Sequence, residues 1–285
     1  MTITSAHNEQ LTQIRKLRQR RRWRERAGRF VAEGEDLLAA ADAAGWSAVQ
    51  RYCAAGSGLG GVQIEPRILA TLSGLASGTR ALAVYDERWA PTPLGPLCVY
   101  LHGVQDPGNV GAVLRCAQAF GASSVALGPG SADPLGPKAV RASMGAVFAV
   151  PLARSEGDPD TLPGATIALV AGTGTPLAEL CRLKHLSARG TGGQTEASPK
   201  GEPGTADVPP KGGCGDADAP SEGKRDPAAS TPLTLLVGAE REGLSQNLIA
   251  RADHVAQIPI HTHSLNAAMA ATVALYEVTT RMARQ

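Results

Sequence analysis

The sequence predicts an α/β protein made of a small α/β unit followed by a larger one. Three observations predict it. Short apolar runs of strand length alternate with helical stretches along most of the 285 residues. The apolar share of 43% is enough to bury a core. A stiff segment, Ala90-Pro91-Thr92-Pro93-Leu94-Gly95-Pro96, separates one set of elements from the next, which places a first unit at 1–90, a linker at 91–96 and a second unit from 97 to 285.

The first unit opens on a basic stretch. Residues 11–29 carry Arg15, Lys16, Arg18, Arg20, Arg21, Arg22, Arg24, Arg26 and Arg29, opposed only by Glu25. Leu11, Ile14, Leu17 and Trp23 give this stretch a narrow apolar stripe. Such a density of like charge repels itself without a polyanionic partner, and an interleaved indole can stack on a base. Arg18, Arg21, Arg22 and Arg24 are the candidate nucleic-acid contacts here. Beyond them the sequence predicts a strand ending at Phe30–Gly34, a helix over Glu35–Ala44 stopped near Gly45, a strand within Ala48–Ala54, a weak helix over Ile68–Ser77 and a strand at Ala81–Tyr85.

The second unit begins with Leu97–Leu101, apolar throughout as a buried strand is. Asp106-Pro107-Gly108-Asn109 reads as a turn, followed by a helix from about Val110 to Phe120 that carries Arg115. A strand over Ser124–Leu127 leads to Pro137–Gly145, where Lys138 and Arg141 share a helix face. Thr166–Ala171 reads as a strand. Gly172-Thr173-Gly174 after it is not a dinucleotide loop: Leu177 stands where the third glycine belongs, and no acidic residue follows at the expected distance. Residues 187–232 hold nine Gly and seven Pro and no Leu, Ile, Phe or Met. That composition cannot order itself, so this is an expected disordered insertion within the second unit. Strand logic resumes at Leu233–Val237, and Ser245 is placed to cap a helix over Gln246–Arg251.

The chain closes on Ile258-Pro259-Ile260-His261-Thr262-His263-Ser264-Leu265-Asn266 and an alanine-rich helix. Ser264 is a suitable cap for it. Leu265, Met269, Thr272, Leu275, Tyr276, Thr279 and Met282 fall on one face at helical spacing, while the alanines keep the helix thin. The five cysteines show no paired spacing, which argues against a disulfide framework or a zinc site and fits a reducing compartment. No stretch has the length and apolarity of a membrane span, so a cytoplasmic protein is expected.

Four segments, in order, carry a resemblance. They are Asn109-Val110-Gly111 with Arg115-Cys116-Ala117 and Phe120-Gly121; Pro137-Lys138 with Arg141–Gly145; Gly238 and Glu240 with Gly243-Leu244-Ser245; and Ile258-Pro259-Ile260 with Ser264-Leu265-Asn266. Together they resemble the SpoU (TrmH-like) branch of the SPOUT superfamily of RNA methyltransferases, from about residue 97 to the C-terminus. Residues 15–85 resemble, more loosely, the small RNA-binding domain found ahead of it. The resemblance implies a parallel sheet with a C-terminal trefoil knot, a homodimer, and S-adenosylmethionine held by the loops at Leu101, His102 and Gly103, at Gly238, and at Ile258, Ile260 and Leu265. It implies methylation of a ribose 2′-hydroxyl in RNA, with ribosomal RNA of the large subunit favoured over transfer RNA by the extra N-terminal unit. Arg115 is the implied catalytic residue, with Asn109 and Glu240 fixing the motif loops and Ser264 and Asn266 lining the side shared by cofactor and ribose. Lys138 and Arg141 join the RNA contacts, and no metal is implied. His261-Thr262-His263 replaces a more usual glycine-containing stretch, and Ala267-Ala268 a more usual Val-Ser. The rival readings are an RNA-binding protein of the same fold without turnover and a nucleotide-dependent dehydrogenase using Gly172–Gly174.

Overall fold

The computed structural model describes residues 2–73, 78–182 and 232–282. Of the expected insertion, 187–231 lies outside the described residues. The first unit runs β1 (Thr2–Ile3), α1 (Glu9–Gln19), α2 (Arg21–Ala27), β2 (Arg29–Glu33), α3 (Glu35–Ala43), β3 (Gln50–Ala54), β4 (Val62–Ile64), α4 (Pro66–Leu72) and β5 (Ala81–Asp86). Its sheet has the order β1-β4-β3-β5-β2, parallel from β1 to β3 and antiparallel from β3 to β2.

The basic stretch is two helices rather than one stripe. Asn8 caps α1 by accepting from the Gln10 amide at 2.9 Å, and Leu11, Ile14 and Leu17 are buried. The chain then breaks at Arg20, which takes an extended conformation between the helices, and Gly28 ends α2 in the left-handed region. Trp23 therefore sits on a different helix from the apolar residues it was grouped with.

The second unit runs β6 (Leu97–His102), α5 (Pro107–Ala119), β7 (Ser124–Leu127), α6 (Pro137–Ala142), α7 (Ala146–Ala149), β8 (Leu152–Arg154), β9 (Ala165–Leu169), β10 (Thr175–Pro176), α8 (Leu177–Leu180), β11 (Leu233–Gly238), α9 (Gln246–Arg251), β12 (His254–Gln257) and α10 (Ala267–Met282). The sheet order is β10-β12-β9-β11-β6-β7-β8 and every pairing is parallel. Central strands β6 and β11 are apolar and buried on both faces, as a parallel sheet covered by helices requires.

Several sequence expectations shift. Asp106–Asn109 is the start of α5 rather than a turn: the Asp106 carboxylate accepts from the Gly108 amide at 3.0 Å, and Pro107 occupies the first helical position. The Lys138 ammonium, 2.6 Å away, and that amide hold the Asp106 carboxyl below its ordinary range. On α10 the alanine side is the buried one, through Ala267, Ala268, Ala271, Ala274, Leu275 and Val278. Met269 and Tyr276, placed on one stripe by spacing, are 62% and 54% exposed. The last strand stops at Gln257, ahead of Pro259, which has no amide to donate to a ladder.

The two units share one core. Phe30, Trp46 and Tyr85 of the first unit pack with Phe148 of the second, with Tyr85–Phe148 and Trp46–Phe148 centroids 5.0 and 5.3 Å apart in edge-to-face arrangements. The buried Trp46 Nε1–H donates to the Phe148 carbonyl at 2.8 Å. Gly145, at φ +96°, lies so close to Ala40 of α3 that an added Cβ would meet its methyl at 2.5 Å. Arg24 Nε and Nη2 donate to Asp133 Oδ2 at 2.8 and 2.6 Å, and its Nη1 donates to the Leu17 carbonyl. The buried Glu33 carboxylate faces Arg18 at 2.9 Å and Arg141 at 3.6 Å. Ala90 bridges to Ala153 at the β8 edge, the Arg154 guanidinium lies over Trp89, and even the linker is engaged: Leu94 exchanges hydrogen bonds with the Ser124 hydroxyl, both at 2.8 Å.

Candidate active site

At the carboxyl ends of β11 and β12, which flank β9, two loops face each other, 238–243 and 258–265. Between them lies a cleft of about 560 Å³, within the range of small-molecule sites. Apolar side chains, Leu169, Val237, Ile258, Ile260 and Leu265, form much of its wall, with Ala267 and Ala270 of α10 closing one side. Backbone of both loops and the side chains of Glu240, Arg241, Glu242, His263 and Ser264 supply its polar edge.

The first loop is a tight antiparallel closure: Ala239 and Gly243 exchange backbone hydrogen bonds at 3.2 and 3.0 Å. Gly238 is required for it, because a Cβ there would run into the Gly243 carbonyl carbon and the Leu244 amide. Gly243, at φ +67°, supplies the left-handed turn. A chain of amides and a carboxylate then ties three elements together. Asn109 Nδ2, in the first turn of α5, donates to Glu240 Oε1. Asn266 Nδ2 donates to Asn109 Oδ1 at 2.9 Å. Asn266 Oδ1 in turn accepts from the Ala268 and Met269 amides at 2.9 and 3.3 Å, so Asn266, and not Ser264, caps α10. The loop conformation at 238–243 is thus fixed from α5, and α5 from the start of α10.

This arrangement makes Asn109→Asp informative. The carboxylate would lose the donor that serves Glu240 and would face it with like charge. The expected outcome is a loosened 238–243 loop and ligand binding to the cleft weakened by about 1–3 kcal/mol, read by calorimetric titration.

The expected site residues do not all converge. Glu240, Gly238, Ile258, Ile260, Ser264 and Leu265 border the cleft, and Asn109 and Asn266 brace it. Leu101 is fully buried in the core. His102 pairs in register with Gly238, and Gly103 abuts Ala239, so these two support the loop from the neighbouring strand. His102 Nδ1 lies 3.0 Å from the phenol of Tyr100, whose pKa burial raises to about 12; burial pushes the His102 pKa down, favouring the neutral ring. Arg115 is exposed on α5 and, among the described residues, forms no ion pair. Arg24, taken as a nucleic-acid contact, is instead a buried structural cation, and Arg18 and Arg141 are turned toward Glu33. Lys138 is exposed but paired with Asp106, and Arg21 with Glu25; Arg22 is exposed. His263 lines the cleft, within the 258–265 loop that the resemblance assigned to the cofactor, whereas the sequence reading missed Arg241 and Glu242 as cleft residues. Both flank motif positions, Glu240 and Gly243, and that adjacency was the available signal.

Gly174 also acquires a structural role: a Cβ there would meet the Val255 carbonyl oxygen at 2.5 Å. It allows β10 to approach β12, and among the described residues the helix that follows is the four-residue α8, too short for a dinucleotide-binding helix. Among the described residues no cluster of three or more potential metal ligands occurs.

The SpoU rRNA Methylase family model matches residues 96–175 and 216–276, covering this sheet, both loops and most of α10. The chain belongs to the SpoU methylase family. Its relatives include the mitochondrial rRNA methyltransferase 3 of Xenopus tropicalis, 31% identical over 208 residues, covering 64% of this chain and 48% of that protein. An uncharacterized tRNA/rRNA methyltransferase of Mycobacterium tuberculosis is 32% identical over 184 residues, 63% of this chain and 50% of that one. The chain thus spans about half the length of these relatives. Among solved structures, an AdoMet-bound rRNA methyltransferase from Sinorhizobium meliloti aligns over 98% of this chain and 97% of its own, with TM-score 0.71 and 24% identity. A SpoU methyltransferase from Streptomyces viridochromogenes, in complex with AdoMet, aligns over 96% and 98%, with TM-score 0.71 and 21% identity. Both share the fold of the two units together.

Proposed function

We propose that the protein transfers a methyl group from S-adenosylmethionine to a ribose 2′-hydroxyl in RNA. The observation that carries this reading is the braced cleft: two loops at the strands' carboxyl ends, held by Glu240, Asn109 and Asn266, with the exposed guanidinium of Arg115 on the same helix as Asn109. Family membership supports the reaction class, and the AdoMet-bound state of two structural neighbours supports the donor.

The cleft's chemistry fits that donor. Apolar walls at Leu169, Val237, Ile258 and Leu265 suit an adenine ring, and backbone amides and carbonyls of 238–243 and 258–265 suit its ribose and amino-acid ends. When bound, the donor supplies a methyl group on a positively charged sulfur, open to direct displacement. The protein's task is then alignment and proton removal. Gly238 and Gly243 let the loop backbone come close. Asn109 and Asn266 keep that loop from relaxing. A guanidinium is effectively never neutral, so Arg115 is not a free-standing base. It clamps the phosphate beside the target nucleotide and stabilises charge developing on the 2′-oxygen, while that phosphate or a water takes the proton.

Large-subunit ribosomal RNA is the proposed substrate class, supported by the fused basic N-terminal unit and by relatives whose names specify rRNA. A second copy of the chain is the proposed partner, across the α10 face where Met269, Val273 and Tyr276 are exposed. The C-terminal segment is proposed to thread a trefoil knot, supported by the placement of β11 between β6 and β9.

Incubation with methyl-labelled S-adenosylmethionine and unmodified ribosomal RNA tests the reaction. A 2′-O-methyl blocks alkaline cleavage at its own linkage, so label should appear in an alkali-resistant dinucleotide. Label in a mononucleotide would indicate base methylation and contradict the ribose assignment.

A further inference from the structure

We infer that the solvent face of α1 and α2, centred on Trp23, is the surface on which single-stranded RNA docks, and that Arg18 and Arg24 take no part in it. The inference deepens the proposed RNA methyl transfer and rests on that reading for its choice of polyanion. It follows from how α2 is held. Arg24 is buried, with all three of its guanidinium nitrogens committed to Asp133 and the Leu17 carbonyl. Arg22 and Arg26, four apart, share the opposite face of the same short helix. The break at Arg20 folds α2 back so that Trp23 meets Lys16 of α1.

The result is an indole ringed by charge. Lys16 Nζ lies 5.0 Å from the Trp23 ring centroid, and the Arg22 and Arg26 guanidinium carbons lie at 5.7 and 5.9 Å. Among the described residues none of these three cations has a carboxylate partner. The nearby acid, Glu25, is taken by Arg21, and Asp86 by Arg29. Three unpaired cations held around one ring repel each other; cation–π attraction returns only about 0.5–1 kcal/mol each at an exposed site. Phosphates spaced along a strand would neutralise them, and the ring they flank is a stacking platform for a base. A duplex offers phosphates but no free base face, so an unpaired segment fits better.

The test is filter binding to a labelled polyuridylate RNA of about 20 nucleotides across a potassium chloride titration. For the Lys16→Ala/Arg22→Ala/Arg26→Ala variant, the slope of log affinity against log salt should fall by about 2, near 0.7 for each lost phosphate contact. The charge-conserving variant Lys16→Arg/Arg22→Lys/Arg26→Lys should keep the wild-type slope. Trp23→Ala should weaken binding by roughly 5- to 100-fold without changing the slope. An unchanged slope in the triple alanine variant, with its thermal melt intact, would overturn the inference even if the wild type methylates RNA. A wild type that binds RNA with the predicted slopes yet transfers no methyl group would support this surface and sink the enzymatic reading instead.

Discussion

Replacing Arg115 with alanine is expected to lower methyl transfer by about 10²- to 10³-fold, equivalent to roughly 2.7–4 kcal/mol of transition-state stabilisation, while RNA affinity changes only a few-fold. The proposed role is local: a guanidinium that pairs with no carboxylate among the described residues meets charge that develops on the 2′-oxygen and on the adjoining phosphate. Arg115→Lys discriminates between two versions of that role. A lysine supplies charge but not the planar fork, so a point charge would leave substantial turnover. The account favours bidentate contact and expects Arg115→Lys to fall nearly as far as alanine, with RNA still bound. Because Arg115 is exposed and makes no ion pair among the described residues, neither variant should move the thermal midpoint. Single-turnover rates at saturating RNA separate the loss of chemistry from the loss of binding.

The second large effect concerns stability. Asp133→Asn leaves a buried guanidinium without its counter-charge, and a broken buried pair costs about 3–5 kcal/mol. Arg24 has 6% of its side chain exposed and Asp133 15%, so solvent screening does little to soften the loss. Asparagine keeps an oxygen for the Leu135 amide, which Asp133 Oδ1 now serves at 2.9 Å, so the turn itself is spared. Adding Arg24→Met removes the stranded charge, and the double variant should recover at least half of the loss in urea unfolding. If Asp133→Asn unfolds with the wild-type midpoint, the pair is not what fastens α2 to the second unit. Losing this tie should also weaken RNA binding, since Arg24 is what orients Arg22 and Arg26.

Much of the fold was legible because it is local. The Ser124–Leu127 strand and the Gln246–Arg251 helix with its Ser245 cap appear with the bounds that their own residues announce. Strands β4 and β8, three residues each, are too short to show a period. Asp106-Pro107-Gly108 was misread because an Asp before a Pro marks a turn and a helix start equally well. The burial of Arg24 could not be read locally, since its partner lies 109 residues away. On α10 the spacing grouped Met269 and Tyr276 with Leu275 but could not say which side is buried; the structure buries Leu275 with the alanines and leaves Met269 and Tyr276 exposed.

The site divides the same way. Glycines and cap residues of the loops were visible as types, but the hydrogen bonds that unite Asn109 with Glu240 and with Asn266 cross 131 and 157 residues. Only the resemblance of four ordered motifs brought them together beforehand. That resemblance also placed Leu101, His102 and Gly103 with the cofactor, where the structure buries Leu101 in the core and sets His102 and Gly103 behind the loop.

The most direct test is a crystal structure of the protein with S-adenosylhomocysteine, the demethylated product of the donor. The account predicts density for it between 238–243 and 258–265, with the Glu240–Asn109–Asn266 chain intact. Density elsewhere, or a cleft that stays empty at saturating ligand while calorimetry records no binding, would contradict it.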